Sequence, residues 1–395
     1  MFAMKTILWS GAGILALAGA LALAHPGHAP IVPPVVSFSA AQQTLPFDLY
    51  RGNRIITQAR INGHETSVFL DTGAGATTVD RAFARSIGLP AGVKIKAVGT
   101  GGPTEAELVS GVTLQLGGMR FDKMTVAVMD LQPVAKGIGR PMNVILGREF
   151  FNSAVVSINW AASTLTVIAP KSFTPPRDAV AIPLGTTGPF HTVPLSVAGG
   201  PEITAMLDVG NGGTVSLPRA YWEQRADLAN LPFADSRGGG VGGLHKLRAV
   251  TLPQVVFGGR TFANVPAELG EADEHEPNRI ANVGIGMLQQ FRVTLDLGHS
   301  QLYLAPGANA EWLRDRSGAR FDLAGDRLKV AFVSPFGPAA RAGLKLGDEI
   351  VAVDGQHVDS HYYDRADWSR GQAGRAVALQ RIDGSVVTVT LADYY

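Results

Sequence analysis

Phe69-Leu70-Asp71-Thr72-Gly73-Ala74-Gly75 and Met206-Leu207-Asp208-Val209-Gly210-Asn211-Gly212 decide how this 395-residue chain is read. Each is an apolar run ending in Asp-x-Gly, and the second follows the first at an offset of 208 − 71 = 137. Three further anchors keep the same order. Gly117-Gly118-Met119-Arg120-Phe121 matches Gly258-Gly259-Arg260-Thr261-Phe262 at 141, Asn143-Val144-Ile145-Leu146-Gly147 matches Asn282-Val283-Gly284-Ile285-Gly286 at 139, and Ser163-Thr164-Leu165 matches Ser300-Gln301-Leu302 at 137. Four anchors in register imply a duplicated unit of about 130 residues, far longer than a solenoid repeat. The expected units are one lobe over 45–170, a second over 178–308 after the joint Thr174-Pro175-Pro176-Arg177, and a third unit over 320–395.

Composition narrows the class. With 46% hydrophobic and 17% charged residues, the chain has enough apolar surface for real cores. A net charge of +1 gives no bulk attraction to nucleic acid or an anionic membrane. The absence of cysteine excludes disulfides, thiolate metal sites and a cysteine nucleophile. Short β-prone runs such as Val112-Thr113-Leu114-Gln115-Leu116 and Thr125-Val126-Ala127-Val128, punctuated by Gly and Pro, predict a mainly β fold. Helical patterns are confined to Asp80–Ile87, Pro218–Ala229 and Pro338–Ala342.

The N-terminus has the form of an export signal. Lys5 precedes an apolar run from Ile7 to Ala24, and Ala22-Leu23-Ala24 offers a small-x-small cleavage site. Cleavage after Ala24 would leave a periplasmic or secreted protein. The alternative is retention of residues 7–24 as an inner-membrane anchor, the one case in which a membrane is a partner. Residues 25–44, rich in Pro and Ala, read as a linker.

An Asp at a strand end followed by x-Gly puts a carboxylate on a glycine-permitted turn. If the lobes pack with pseudo-twofold symmetry, Asp71 and Asp208 meet at the axis. Two carboxylates that close cannot both ionise easily, so the pair shares a proton and titrates as a unit. Such a dyad can activate water and protonate a carbonyl oxygen with no cofactor or metal.

Leu70-Asp71-Thr72-Gly73-Ala74 resembles the Asp-Thr-Gly signature of retropepsin-like and pepsin-like aspartyl proteases. Asn143-Val144-Ile145-Leu146-Gly147 resembles the hydrophobic-hydrophobic-Gly motif that packs under the catalytic turn of that family. The whole is similar to bacterial periplasmic aspartyl proteases with two retropepsin-like lobes and a PDZ domain. The resemblance implies catalysis by Asp71 and Asp208, with Thr72, Gly73, Val209, Gly210 and Asn211 shaping the turns. In the family, paired Thr hydroxyls bond across to the opposite loop. Val209 breaks that pattern, and Asn211 is expected to compensate by donating its amide to the outer oxygen of Asp208. The resemblance also implies Gly-rich flaps, placed at Gly99, Gly101 and Gly102 and at Gly239, Gly240 and Gly242. The second stretch contains G-x-G-x-x-G, but no helix pattern follows and no βαβ unit surrounds it, so it is not read as a dinucleotide site.

Val333-Ser334-Pro335-Phe336-Gly337-Pro338-Ala339-Ala340-Arg341-Ala342-Gly343-Leu344 and the Asp348–Gly355 stretch are similar to the core of bacterial PDZ domains, which bind peptides by adding a strand to a sheet edge. Leu328–Phe332 is the expected receiving strand, with Arg327, Leu328 and Val330 as binding residues. The fold class is thus mainly β, two pseudo-twofold-related acid-protease lobes followed by a PDZ domain. The expected function is endoproteolysis of exported or membrane-tethered polypeptides, with a peptide or protein ligand for the PDZ domain. The alternatives are a peptide-binding adaptor with a decayed dyad and a single active lobe that needs homodimerisation. His25 and His28, His357 and His361, and the acidic loop Glu271, Asp273, Glu274 and Glu276 are read as surface or linker rather than metal sites.

Overall fold

The computed structural model describes residues 33–271, 280–365 and 367–395. The export-type segment, His25, His28, and Asp273, Glu274 and Glu276 of the acidic loop lie outside the described residues.

The chain is mainly β, as its short apolar runs and glycine turns predict. In the first lobe the strands run in the order Val35–Phe38, Met119–Met129, Thr78–Asp80, Val144–Leu146, His64–Leu70, Arg54–Ile61, Gly102–Leu116 and Val93–Gly99, with Asp48–Tyr50 also pairing Arg54–Ile61. The second lobe repeats the core of this order with Glu202–Leu207, Ala281–Val283, Val215–Leu217 and Arg260–Gly270 as neighbours. Burial alternates along stretches such as residues 112–116, whereas the central strands Thr78–Asp80 and Val144–Leu146 are buried throughout.

A third sheet joins the lobes. Its order is Val180–Pro183, Gln301–Pro306, Phe291–Asp296, Val155–Asn159, Thr164–Ile168 and Gln42–Pro46. At its centre Val156 faces Leu295, Ser157 faces Thr294, and Ile158 faces Val293. Ser157 and Thr294 are themselves 137 positions apart, and the Thr294 hydroxyl donates to Ser157 Oγ at 3.0 Å. The pseudo-twofold relation therefore passes through this pair, at the same offset that separates Asp71 from Asp208.

Three sequence expectations need correction. The linker read over 25–44 contains two strands, because Val35–Phe38 pairs Met119–Met129 and Gln42–Pro46 pairs Thr164–Ile168. The flanking prolines hid a β-prone Val35-Val36-Ser37-Phe38. The match of Asn143 to Asn282 is off by two. Leu70 pairs Leu146 and Leu207 pairs Val283 in the same parallel register, so Asn282 is equivalent to Ile145, and Gly284 to Gly147. The helical pattern over Pro218–Ala229 divides into Arg219–Trp222 and Ala226–Ala229.

The C-terminal sheet corrects a fourth. Its order is Ala319–Ala324, Arg327–Val333, Glu349–Val353, Ala376–Arg381 and Val386–Thr390. The expected receiving strand is interior, paired on one side with Ala319–Ala324 and on the other with Glu349–Val353. Leu328 and Val330 are buried, and Arg327 is tied to Glu349 at 2.9 Å. A strand with both edges paired cannot accept a peptide. The unpaired edge belongs to Ala319–Ala324.

Candidate active site

Each Asp sits where its strand gives way to the glycine turn. A short parallel strand beneath fixes the exit, as Asp71 N–H donates to Leu146 O at 3.1 Å and Asp208 N–H to Val283 O at 3.0 Å. The two turns meet face to face. A Cβ on Gly73 would lie 2.7 Å from Cγ of Asp208, and Gly210 stands just as tightly against the Asp71 carboxyl. Only glycine permits this approach. The two carboxyls thus lie across the meeting turns from each other. Burial first, then the neighbouring Asp208 carboxyl, hold the Asp71 carboxyl well above its usual range.

The pair is unequal in its surroundings. Asp208 Oδ1 accepts from Gly210 N–H at 2.9 Å and Asn211 N–H at 3.0 Å, and its Oδ2 accepts from Asn282 Nδ2 at 2.8 Å. Asp71 Oδ1 accepts from Gly73 N–H at 2.8 Å. Burial and the neighbouring carboxyl make the Asp71 carboxyl hold its proton more firmly than an isolated one would.

Thr72 reaches across as the resemblance implies. Its hydroxyl donates to Leu207 O at 2.7 Å and accepts from Val209 N–H at 3.0 Å. Val209 is fully buried at the equivalent place and offers no reciprocal bond. The Asn211 expectation is wrong in its atom. The Asn211 side chain donates to Asn282 Oδ1 at 2.7 Å, and it is Asn282 that reaches Asp208. Reading Asn282 as the partner of Asn143 concealed this, since Asn143 donates to Thr66 Oγ1 instead.

Glu149 was also missed. Its Oε2 accepts from Thr77 N–H at 2.9 Å and Thr77 Oγ1 at 3.1 Å, bracing the first lobe's catalytic loop. Burial raises its pKa. Gly286 is the second-lobe equivalent, so no repeat signal marked the residue.

The predicted flap glycines come together above the dyad. The hairpin Val93–Gly99 and Gly102–Leu116 turns at Thr100-Gly101, and Phe233–Gly240 and Gly243–Phe257 turns at Val241-Gly242. Gly101 N–H donates to Val241 O at 2.8 Å. Any Cβ on Gly99 or Gly101 would collide with the opposite tip, and one on Gly242 would lie 2.6 Å from Gly102 N. Gly240 lies against the Thr100 side chain, and Gly239 against Arg320 of the C-terminal sheet. Beneath the flaps runs a cleft of about 1680 Å³ that reaches the dyad, both catalytic turns and the C-terminal unit.

Residues 57–150 match the family profile described as aspartyl protease, and residues 329–380 match that of a PDZ domain. One chain thus carries a segment similar to aspartyl proteases and a segment similar to PDZ domains. The protease match contains Asp71, Thr72, Gly73, the first flap and the Val144–Gly147 segment, and it ends before the second lobe. A search of curated proteins finds no match to the chain.

Proposed function

We propose that this aspartyl protease–PDZ chain is an aspartic endopeptidase in which Asp71 and Asp208 act together on a water molecule. The observation that carries the reading is the meeting of two carboxyls on pseudo-equivalent turns, at the floor of a flap-covered cleft. An extended polypeptide would lie between the lobes, under both tips. The Asp208 carboxylate takes a proton from the water as it attacks the scissile carbonyl carbon, while Asp71 gives its proton to the carbonyl oxygen. Asp208 then gives its proton to the departing amine, Asp71 takes back a proton from a hydroxyl of the tetrahedral intermediate, and the C–N bond breaks to leave acid and amine. The N-terminal signal pattern supports exported or membrane-tethered substrates, met in the periplasm or at the membrane.

The working form carries one proton on the pair. A raised Asp71 ionisation keeps that form present to higher pH than an isolated carboxyl would, and activity is lost as pH rises through it. Asp71→Asn and Asp208→Asn should each cut cleavage of a peptide library by about a thousandfold or more, read by mass spectrometry, with folding checked by circular dichroism. Turnover that survives both changes removes the mechanism. Loss with Asp71→Asn alone points to a lobe-one pair formed across a homodimer.

A further inference from the structure

Four arginines crowd one wall of the cleft. Arg51 and Arg54 come from the first lobe's hairpin turn, and Arg320 and Arg370 from the PDZ domain. Arg51 pairs with Asp367 at 2.9 Å, and the same carboxylate lies 3.6 Å from Arg370. Arg370 also donates to Arg51 O. One acid thus serves two cations. Among the described residues, neither Arg54 nor Arg320 has a carboxylate within ion-pair distance.

Arg54 is the member nearest the chemistry. Its Nη1 donates to Asn53 O at 2.7 Å and lies against Gly212, beside the Asp208 turn. Asn53 Nδ2 anchors the same turn through Gly212 O at 2.9 Å. Asp208 fills its hydrogen bonds from Gly210, Asn211 and Asn282, not from this guanidinium. Burial and the neighbouring Arg370 and Arg51 charges push Arg54 down to about 10. Arg320 donates to Arg237 O at 3.3 Å and keeps a buried Nε without a partner. Asp322 lies near Arg320 without forming an ion pair with it, and two other acids of the cleft are engaged. Asp315 accepts from Ser317, Gly318 and Tyr394, and Glu268 accepts from Ser216.

The Asp208 and Asp71 charges favour ionised Arg54, and the Asp322 and Glu268 charges favour ionised Arg320, but none of them pairs with these guanidiniums directly. Largely buried guanidinium groups without a direct ion-pair partner are costly, and an entering carboxylate relieves that cost with paired N–H donors. We propose that Arg54, with Arg370 and Arg320, forms a carboxylate-accepting subsite beside the dyad. The favoured peptide presents an acidic side chain or its own terminal carboxylate there, and the PDZ domain completes the subsite. The assignment rests on the endopeptidase reading for its placement of the substrate.

The test uses the full chain and matched peptides in which Glu replaces Gln at each position around the cleaved bond, plus free-acid and amide forms of each C-terminus. One Glu position, or the free acid, should raise kcat/KM by about tenfold or more over its neutral match. The first result assigns the carboxylate to a side chain and the second to the chain end. Arg54→Gln and Arg370→Gln should each bring the ratio close to one, and Arg370→Lys should restore part of it. The ratio is insensitive to a general loss of folded enzyme. Equal rates for every acidic and neutral pair, or a preference that both Gln variants retain, overturns the subsite while leaving the protease intact. If the wild type cleaves nothing, fluorescence anisotropy of the same labelled peptides on the Asp71→Asn protein decides. Tighter binding of the acidic form keeps the subsite and removes the protease reading, whereas equal binding removes the subsite.

Discussion

At the scale of single residues, the dyad is held by a cross-brace that exists on one side only. Thr72 supplies two bonds to the opposite loop, and Val209 supplies none in return. Thr72→Val would leave the Leu207 carbonyl and the Val209 amide buried without partners. At about 1–3 kcal/mol for each orphaned group, the expected loss is about 2–6 kcal/mol. Val209→Thr should move the other way, adding up to about 1 kcal/mol by restoring the reciprocal donor. Urea unfolding of both variants checks the pair of signs, and a destabilised Val209→Thr would show that the buried Val packing outweighs the missing bond. Asp71 and Thr72 were legible because their roles follow from chemistry packed into three adjacent residues. Asn282 was not, because its role depends on strand register. The conspicuous Asn invited alignment with Asn143, while the register makes it the equivalent of Ile145.

At the scale of elements, the hairpins and the parallel supports were readable from apolar runs and their glycine punctuation, whereas sheet order was not. No local pattern told that Leu328–Val333 would be interior and Ala319–Ala324 the edge. The helix Gln132–Ile138 was missed for a related reason. It is short, and its cues are a proline in its first turn and left-handed Gly139 after its end. The flaps show what glycine accomplishes once two elements meet. Gly101 lies at the first tip, where a side chain would strike the Gly243 backbone. Gly101→Val should therefore hold the tips apart. The expected outcome is a rise in KM of about tenfold or more with little change in thermal stability, since the tips lie at the ends of their hairpins. Steady-state kinetics beside a melting curve separates this from a folding defect, and an unchanged KM would contradict closure by tip contact.

At the scale of the whole molecule, the PDZ domain is packed against the protease rather than tethered to it. Tyr50, Met129 and Leu131 of the first lobe share one apolar cluster with Phe321, Tyr363 and Trp368. Across the seam the Arg51 guanidinium stacks 3.8 Å above the Tyr363 ring. The Arg51–Asp367 pair lies inside this seam, with side chains 17% and 12% exposed. The Arg51 contacts link residues over 300 positions apart, beyond any sequence pattern. They also give the seam a pH dependence. Burial opposes ionisation of Asp367, but Arg370 and Arg51 outweigh it and hold the carboxyl below its usual range. A depressed carboxyl stabilises the fold above the unfolded pKa, near 4, and loses that contribution as pH falls through its lower folded value. Wild type should unfold with lobe one and the PDZ domain in one calorimetric transition at neutral pH. Asp367→Ala leaves Arg51 buried without its partner, at a cost of about 3–5 kcal/mol, and should split that transition in two. Acidification should weaken the wild-type seam progressively and leave the separated PDZ transition of the variant much less affected. A wild type that already melts in two well-spaced steps at neutral pH would show that the domains fold independently and that the seam is only contact.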